Sequence, residues 1–100
     1  MKLIFIVYNI SIEEDVQNIL SRMNVQCFTQ WPRLLGKGIT TGPRMDTSVW
    51  PGANSALMAV VEDSQAKPLM DAVQALRDGA AKREGIKAFQ LPVEAMTGNL

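Results

Sequence analysis

Histidine is absent from all 100 residues. That removes the usual general base and the commonest metal ligand at once. Cysteine occurs once, as Cys27. No internal disulfide framework can form, and a lone thiol fits a reducing compartment. Net charge is lacking too, because 10 Lys and Arg balance 10 Asp and Glu. This gives no electrostatic case for nucleic acid or an anionic membrane as the main partner. Long apolar runs are missing. Leu3–Tyr8 is too short for a signal h-region followed by a cleavage site, and far too short to span a bilayer. We therefore expect one cytoplasmic domain over residues 1–100, with no direct membrane insertion. The 47% apolar content excludes general disorder.

What is present reads as alternating strands and helices. Lys2–Asn9 is β-branched, aromatic and aliphatic, the composition of a strand. Ser11 and Glu14 have the spacing of a capping box, and Ile12, Val16, Ile19, Leu20 and Met23 recur at helical spacing to about Arg22, with Asn24 as the stop. Val25–Trp31 reads as a second strand that Pro32 ends, and Asn54–Glu62 as a third. Asp63 or Ser64 caps a second helix with Leu69, Met70, Val73 and Leu76 as its buried stripe. Pro68 fits that helix only within the first turn, and Gly79 weakens or ends it. Ile86–Leu91 is the fourth strand, closed by Pro92. The order β-α-β-β-α-β predicts an α+β, ferredoxin-like fold, a four-stranded antiparallel sheet with two helices on one face.

Two features do not belong to a bare scaffold. The first is the segment from Leu34 to Asn54, unusually long for so small a domain and punctuated by Gly36, Gly38, Gly42, Pro43, Pro51 and Gly52. Ile39, Met45, Val49 and Trp50 are poor residues for a solvated tether. The second is a sheet that is apolar on both sides. Leu3, Phe5 and Val7 oppose Ile4, Ile6 and Tyr8, and Leu57, Ala59 and Val61 oppose Ala56, Met58 and Val60. Helices cover one face only. The other is buried by self-association, or else by the long loop or the tail folding back.

These residues resemble the P-II signalling proteins over nearly the whole chain. Gly36-Lys37-Gly38, followed by Gly42, resembles the G-x-G-x-x-x-G that begins that family's T-loop, here at about 34–54. Phe89-Gln90-Leu91-Pro92-Val93-Glu94 resembles the last strand and its F-V-x-P-V-E ending, with Thr97-Gly98 beyond it. The resemblance implies a homotrimer with the open sheet faces around its axis. It also implies a small ligand, such as an adenine nucleotide, in clefts between subunits, and a T-loop that docks on a transporter, enzyme or regulator. Carried over by position, Gly36, Lys37, Gly38, Thr40, Gly42 and Lys87 become the ligand-binding candidates. Thr40 stands where the family has a glutamine that helps hold the metal–nucleotide complex. The family's G-x-G-K phosphate loop is Glu84-Gly85-Ile86-Lys87 here, and only the lysine matches. The arginines that follow P-V-E and the T-loop tyrosine are absent. A nucleotide other than magnesium ATP, another small anion, or no ligand therefore stays open. Trp50-Pro51-Gly52-Ala53-Asn54-Ser55 resembles the W-P-G-x-N-S of divergent members that belong with membrane transport systems, including efflux pumps. That resemblance gives a lead for the partner, a regulated protein such as a membrane transporter.

Each candidate has a plainer reading. The glycines serve equally to turn the chain out of the second strand. Lys37, Arg44 and Lys87 suit phosphate charge, but most such side chains are simply solvated. Arg44 and Trp50 are the partner-binding candidates, although Trp50 followed by Pro51-Gly52 also suits packing at the loop base. Cys27 and the six methionines suit core filling better than a soft-metal site, so no metal is expected. No nucleophile–base pair is visible, so no catalytic residue and no enzyme are expected. The alternative function is a ligand-independent interaction module or a metal-tolerance accessory like CutA, a family of the same fold whose aromatic-rich signature is not visible here.

Overall fold

The computed structural model of the protein describes residues 1–38, 42–44 (backbone) and 52–100. Among these residues, six strands and two α-helices follow in the order β1 (Lys2–Asn9), α1 (Glu13–Arg22), β2 (Thr29–Leu34), β3 (Gly36–Gly38), β4 (Gly42–Arg44), β5 (Asn54–Val61), α2 (Asp63–Asp78) and β6 (Ile86–Pro92). The main sheet is four-stranded and antiparallel, in the order β2-β5-β1-β6, with β3 and β4 forming a separate hairpin. This is the expected ferredoxin-like arrangement with one addition: the long segment carries its own two-stranded stem.

The pleat of β1 divides the molecule. Ile4, Ile6 and Tyr8 are buried in one core with Val16, Ile19 and Leu20 of α1, Leu69 and Val73 of α2, and Leu57, Ala59 and Val61 of β5. Leu3, Phe5 and Val7 point to the other side, opposite Val60, Met58 and Ala56 of β5 and opposite Leu91, Phe89 and Lys87 of β6. Each helix buries its apolar stripe and leaves its charged face in water, which supplies most of the stability of elements this short.

Local expectations needed four corrections. Ser11 does not cap α1: a short 3-10 turn, Ile10–Ile12, precedes it, and the Asn9 side chain accepts from the Ser11 N–H instead. The second strand begins at Thr29 rather than Val25 and runs through Pro32 to Leu34. Proline is tolerated because β2 is an edge strand, and the register shifts between Trp31 and Leu34. Glu62, not Asp63 or Ser64, is the N-cap of α2, in a reciprocal box with Gln65. Pro68 therefore lies in the second turn of α2, not the first. Asn24 at φ 58 and Gly79 after α2 end the helices where expected.

Candidate functional site

The cleft that gathers the sequence candidates lies where β3 and the start of β6 meet the end of α2. Its volume is about 720 Å³, and Lys37, Gly38, Lys87, Arg77 and Lys82 contribute to its walls. Lys87, the second residue of β6, sits opposite Val7 on the face away from the helices. Lys37 is the middle residue of β3, whose ladder with β4 pairs Gly36 with Arg44, Lys37 with Pro43 and Gly38 with Gly42. Residues far apart in sequence thus reach one site.

The turn from α2 into β6 forms the rest. Gly79 ends α2, with its N–H on the carbonyl of Ala75 at 3.0 Å. Ala81, fully buried, donates to the Leu76 carbonyl at 2.9 Å and pins the turn to the helix. Gly85 has φ 88, a conformation that favours glycine, and its carbonyl accepts from the Asn9 N–H at 3.2 Å. Gly85 stands between the two replaced glycine positions of the phosphate-loop pattern; it is the glycine the turn requires, and it lines the cleft. The Arg77 guanidinium donates to the Ile86 carbonyl, one residue before Lys87. Among the described residues that line the cleft, four cations face one carboxylate, Asp78, which Gln74 already engages at 3.0 and 3.1 Å. Such a wall suits an anion, and phosphate above others, because arginine and lysine offer several charge-assisted donors.

The structure brings Lys37, Gly38 and Lys87 together and places Gly42 across from Gly38. Gly36 lies apart from the wall. A Cβ there would stand 2.2 Å from Nδ2 of Asn54, so this glycine admits the Asn54 side chain, which is itself part of the cleft lining. Arg44 is placed by its backbone opposite Gly36. Thr40 and Trp50 lie outside the described residues. Arg77 and Lys82 were missed from sequence. Arg77 sits in the last turn of a helix, where a basic residue already suits the dipole, and only the tertiary fold turns it toward β6.

Beside the cleft, on the helix side of the sheet, lies a buried polar cluster. The Tyr8 hydroxyl donates to the Glu13 carboxylate, and the Gln30 amide reaches Tyr8 Oη at 3.2 Å, Ser55 Oγ at 2.9 Å and Glu13. Ser55 Oγ donates to the Trp31 carbonyl at 3.1 Å. Burial, reinforced by Glu13, holds the Tyr8 phenol well above its ordinary pKa.

The open sheet face carries Trp31, Phe89 and Leu91, between 40% and 48% exposed in the single chain. Among the described residues no three or more acidic, cysteine or histidine side chains cluster as a metal site would require, and no helix is long and apolar enough to cross a membrane.

Comparison with known proteins follows the same line. The family model Nitrogen regulatory protein P-II matches residues 1–97. No curated protein matches the chain. Among solved structures, the chain is similar to CPII, a nitrogen regulatory PII-like protein from Thiomonas intermedia K12 bound to ADP, AMP and bicarbonate. The identity is 21%, over 90% of this chain and 82% of that chain, and the TM-score is 0.73. The apo form of CPII matches at 18% identity over 92% and 89% of the two chains, with a TM-score of 0.64. A protein from Thermus thermophilus, described as PII-like and signalling, matches at 19% over 90% and 83%, with a TM-score of 0.60. At such identities the structural likeness is one of fold.

Proposed function

The chain belongs to the nitrogen regulatory protein P-II family, and on that premise we propose that it is a homotrimeric regulator that binds an adenine nucleotide in the cleft of Lys37, Gly38 and Lys87. The observation that carries this reading is the meeting of Lys37, Arg77, Lys82 and Lys87, from separate parts of the chain, around one open cavity. Phosphate charge is the simplest reason to crowd four cations against a single carboxylate. CPII, similar to this chain in fold, was solved with ADP and AMP. The nucleotide acts from the loop base: β3 contributes Lys37 and Gly38, so occupancy of the cleft biases the shape of the T-loop that continues from it. A protein partner, a membrane transporter foremost, reads that shape through Arg44 and Trp50. The apolar face bearing Trp31, Phe89 and Leu91 packs against two further copies, and the cleft lies at the border between subunits.

Calorimetric titration of ATP, ADP, AMP and cyclic AMP into the purified chain tests the ligand. Saturable binding by at least one supports it, and a flat response to all four overturns it. One observation favours a second reading, a ligand-independent interaction module: Asn54 alone accounts for Gly36. Capture of a partner that is indifferent to added nucleotide would select that reading.

A further inference from the structure

β2 contributes no apolar side chain to the core between sheet and helices. Register in a half-buried strand is ordinarily set by apolar side chains that must face the core, since a slip of one residue turns every side chain over. None of the six residues of β2 is buried, and Gln30 alone is half-buried. Thr29, Trp31 and Leu34, opposite Met58, Ala56 and Asn54, lie on the open face. The strand is at the sheet edge with one neighbour, β5, and its register shifts after Trp31. On the open face the ring contact of Trp31 with Phe5 favours the observed pairing. On the helix side no apolar side chain of β2 does, and the ladder is short.

We infer that the buried polar cluster of Tyr8, Glu13, Gln30 and Ser55 is the register lock of β2, with Gln30 as the positioning residue that aims the ligand-binding hairpin. The cluster is closed. Tyr8 donates to Glu13 and accepts from Gln30, while Ser55 accepts from Gln30 and donates to the Trp31 carbonyl. The two N–H groups of Gln30 serve three acceptors, so no acceptor depends on another donor from β2. Tyr8 and Ser55 are each 1% exposed. A slip would take Gln30 to the open face, bring Trp31 or Thr29 against these buried oxygens, and strip Ser55 of its carbonyl partner. Unpaired buried polar groups are costly, and this cost makes the observed register the stable one.

The consequence reaches the cleft. Only Leu35 separates β2 from β3. Displacement by one residue would move the entry to β3 by about 3.4 Å, more than a hydrogen bond can span. Lys37 and Gly38 would then leave the wall they share with Lys87. This last step rests on the nucleotide reading of the cleft, whereas the lock itself does not.

The test uses the full chain and three variants, Gln30→Met, Ser55→Ala and the two combined. Nuclear Overhauser contacts between Trp31 and Ala56 and between Gln30 and Leu57 report the register directly, and amide exchange reports how firmly it is held. In Gln30→Met, protection of β2 amides falls about tenfold while protection of β1 amides facing β6 is unchanged. Ser55→Ala gives a smaller loss of the same kind, and the double variant loses less than the sum of the two, because the bond between Gln30 and Ser55 is shared between them. Affinity for ADP falls in Gln30→Met although no cleft residue has changed. Wild-type contacts and wild-type β2 protection in Gln30→Met overturn the lock, as does a loss of protection that is uniform over all strands. A wild-type chain that ignores ADP removes the nucleotide reading, and the register measurements still decide this one.

Discussion

Trp31 and Phe5 meet on the uncovered face of the sheet, their ring centroids 6.0 Å apart and their planes inclined by 53°. The geometry is that of a tilted aromatic pair, and the register of β1 continues it from Phe5 to Phe89 on the far strand. Aromatic side chains span the sheet in this way, 40% exposed at Trp31 and 48% at Phe89, on the face that the proposed trimer buries.

Charge on that face should dismantle the assembly. We expect the wild-type chain to sediment at three times its own mass. Trp31→Glu and Phe89→Glu should sediment as folded monomers with unchanged far-ultraviolet dichroism, because both rings lie outside the core shared with the helices. A monomeric wild type, or a trimer indifferent to both substitutions, would contradict the proposed packing.

Removing one cation from the cleft should weaken nucleotide binding without loosening the fold. Lys87→Ala and Lys82→Ala are each expected to reduce ADP affinity about tenfold, the scale of one charge-assisted hydrogen bond. Lys67 offers the control. It is exposed on α2, pairs with Asp71 at 3.0 Å and takes no part in the cleft. Calorimetry on Lys67→Ala should return the wild-type affinity, and losses that are equal for all three variants would point to net charge rather than a site.

Gly36 and Asn54 should behave as a coupled pair. A methyl group on Gly36 would stand 2.2 Å from Asn54 Nδ2 and 3.2 Å from its Cγ, and the Asn54 side chain is buried, so it cannot move aside freely. Gly36→Ala is expected to cost roughly 1–3 kcal/mol, as overpacking does. In the background of Asn54→Ala the same change should cost much less. Denaturant titration of the four members of this cycle measures the coupling, and strictly additive effects would show that Gly36 is required for some other reason.

The architecture was legible in the sequence because it rests on periodicity. Apolar spacing in α1 and α2 and continuous apolar runs in β1 and β5 survive any error at their ends. Ends were harder. Asn9 displaced Ser11 as the cap because a 3-10 turn intervenes, and β2 ran past Pro32 because an edge position spares the missing N–H. Lys37, Gly38 and Lys87 could be named from motifs alone. Arg77 and Lys82 could not, since their part in the cleft depends on how the turn at Ala81 folds back on α2. Nor could the Gln30 cluster, whose members come from four separate elements and form no pattern along the chain.

Pro68 should be a point of avoidable strain. As a residue of the second turn of α2 it has no N–H to donate to the Ser64 carbonyl, and its ring crowds that turn. It is exposed and is not a member of the core. Pro68→Ala should therefore stabilise the chain by about 1–2 kcal/mol, the helix gain less the entropy returned to the unfolded state. Thermal melting should show the midpoint rise by several degrees. An unchanged or lower midpoint would mean that the proline shapes α2 to a purpose.

Alkaline unfolding should be governed by one phenol. Tyr8 is the only tyrosine, is 1% exposed, and has its ionisation opposed first by burial and then by the Glu13 carboxylate its hydroxyl contacts. In the unfolded chain a tyrosine ionises near pH ~10. The folded pKa is raised, so the folded state retains a proton that the unfolded state releases. Stability from this group is complete below pH ~10 and is lost as pH rises above it. Tyrosinate absorbance should consequently appear together with loss of dichroism, in one cooperative transition, rather than as a separate titration of the folded chain. Tyr8→Phe should be less stable at neutral pH, having lost the contact with Glu13, yet should resist further loss of stability between neutral and alkaline pH. A folded chain whose tyrosinate signal grows smoothly near pH ~10 would show that Tyr8 is open to solvent and that the polar cluster around it is not closed.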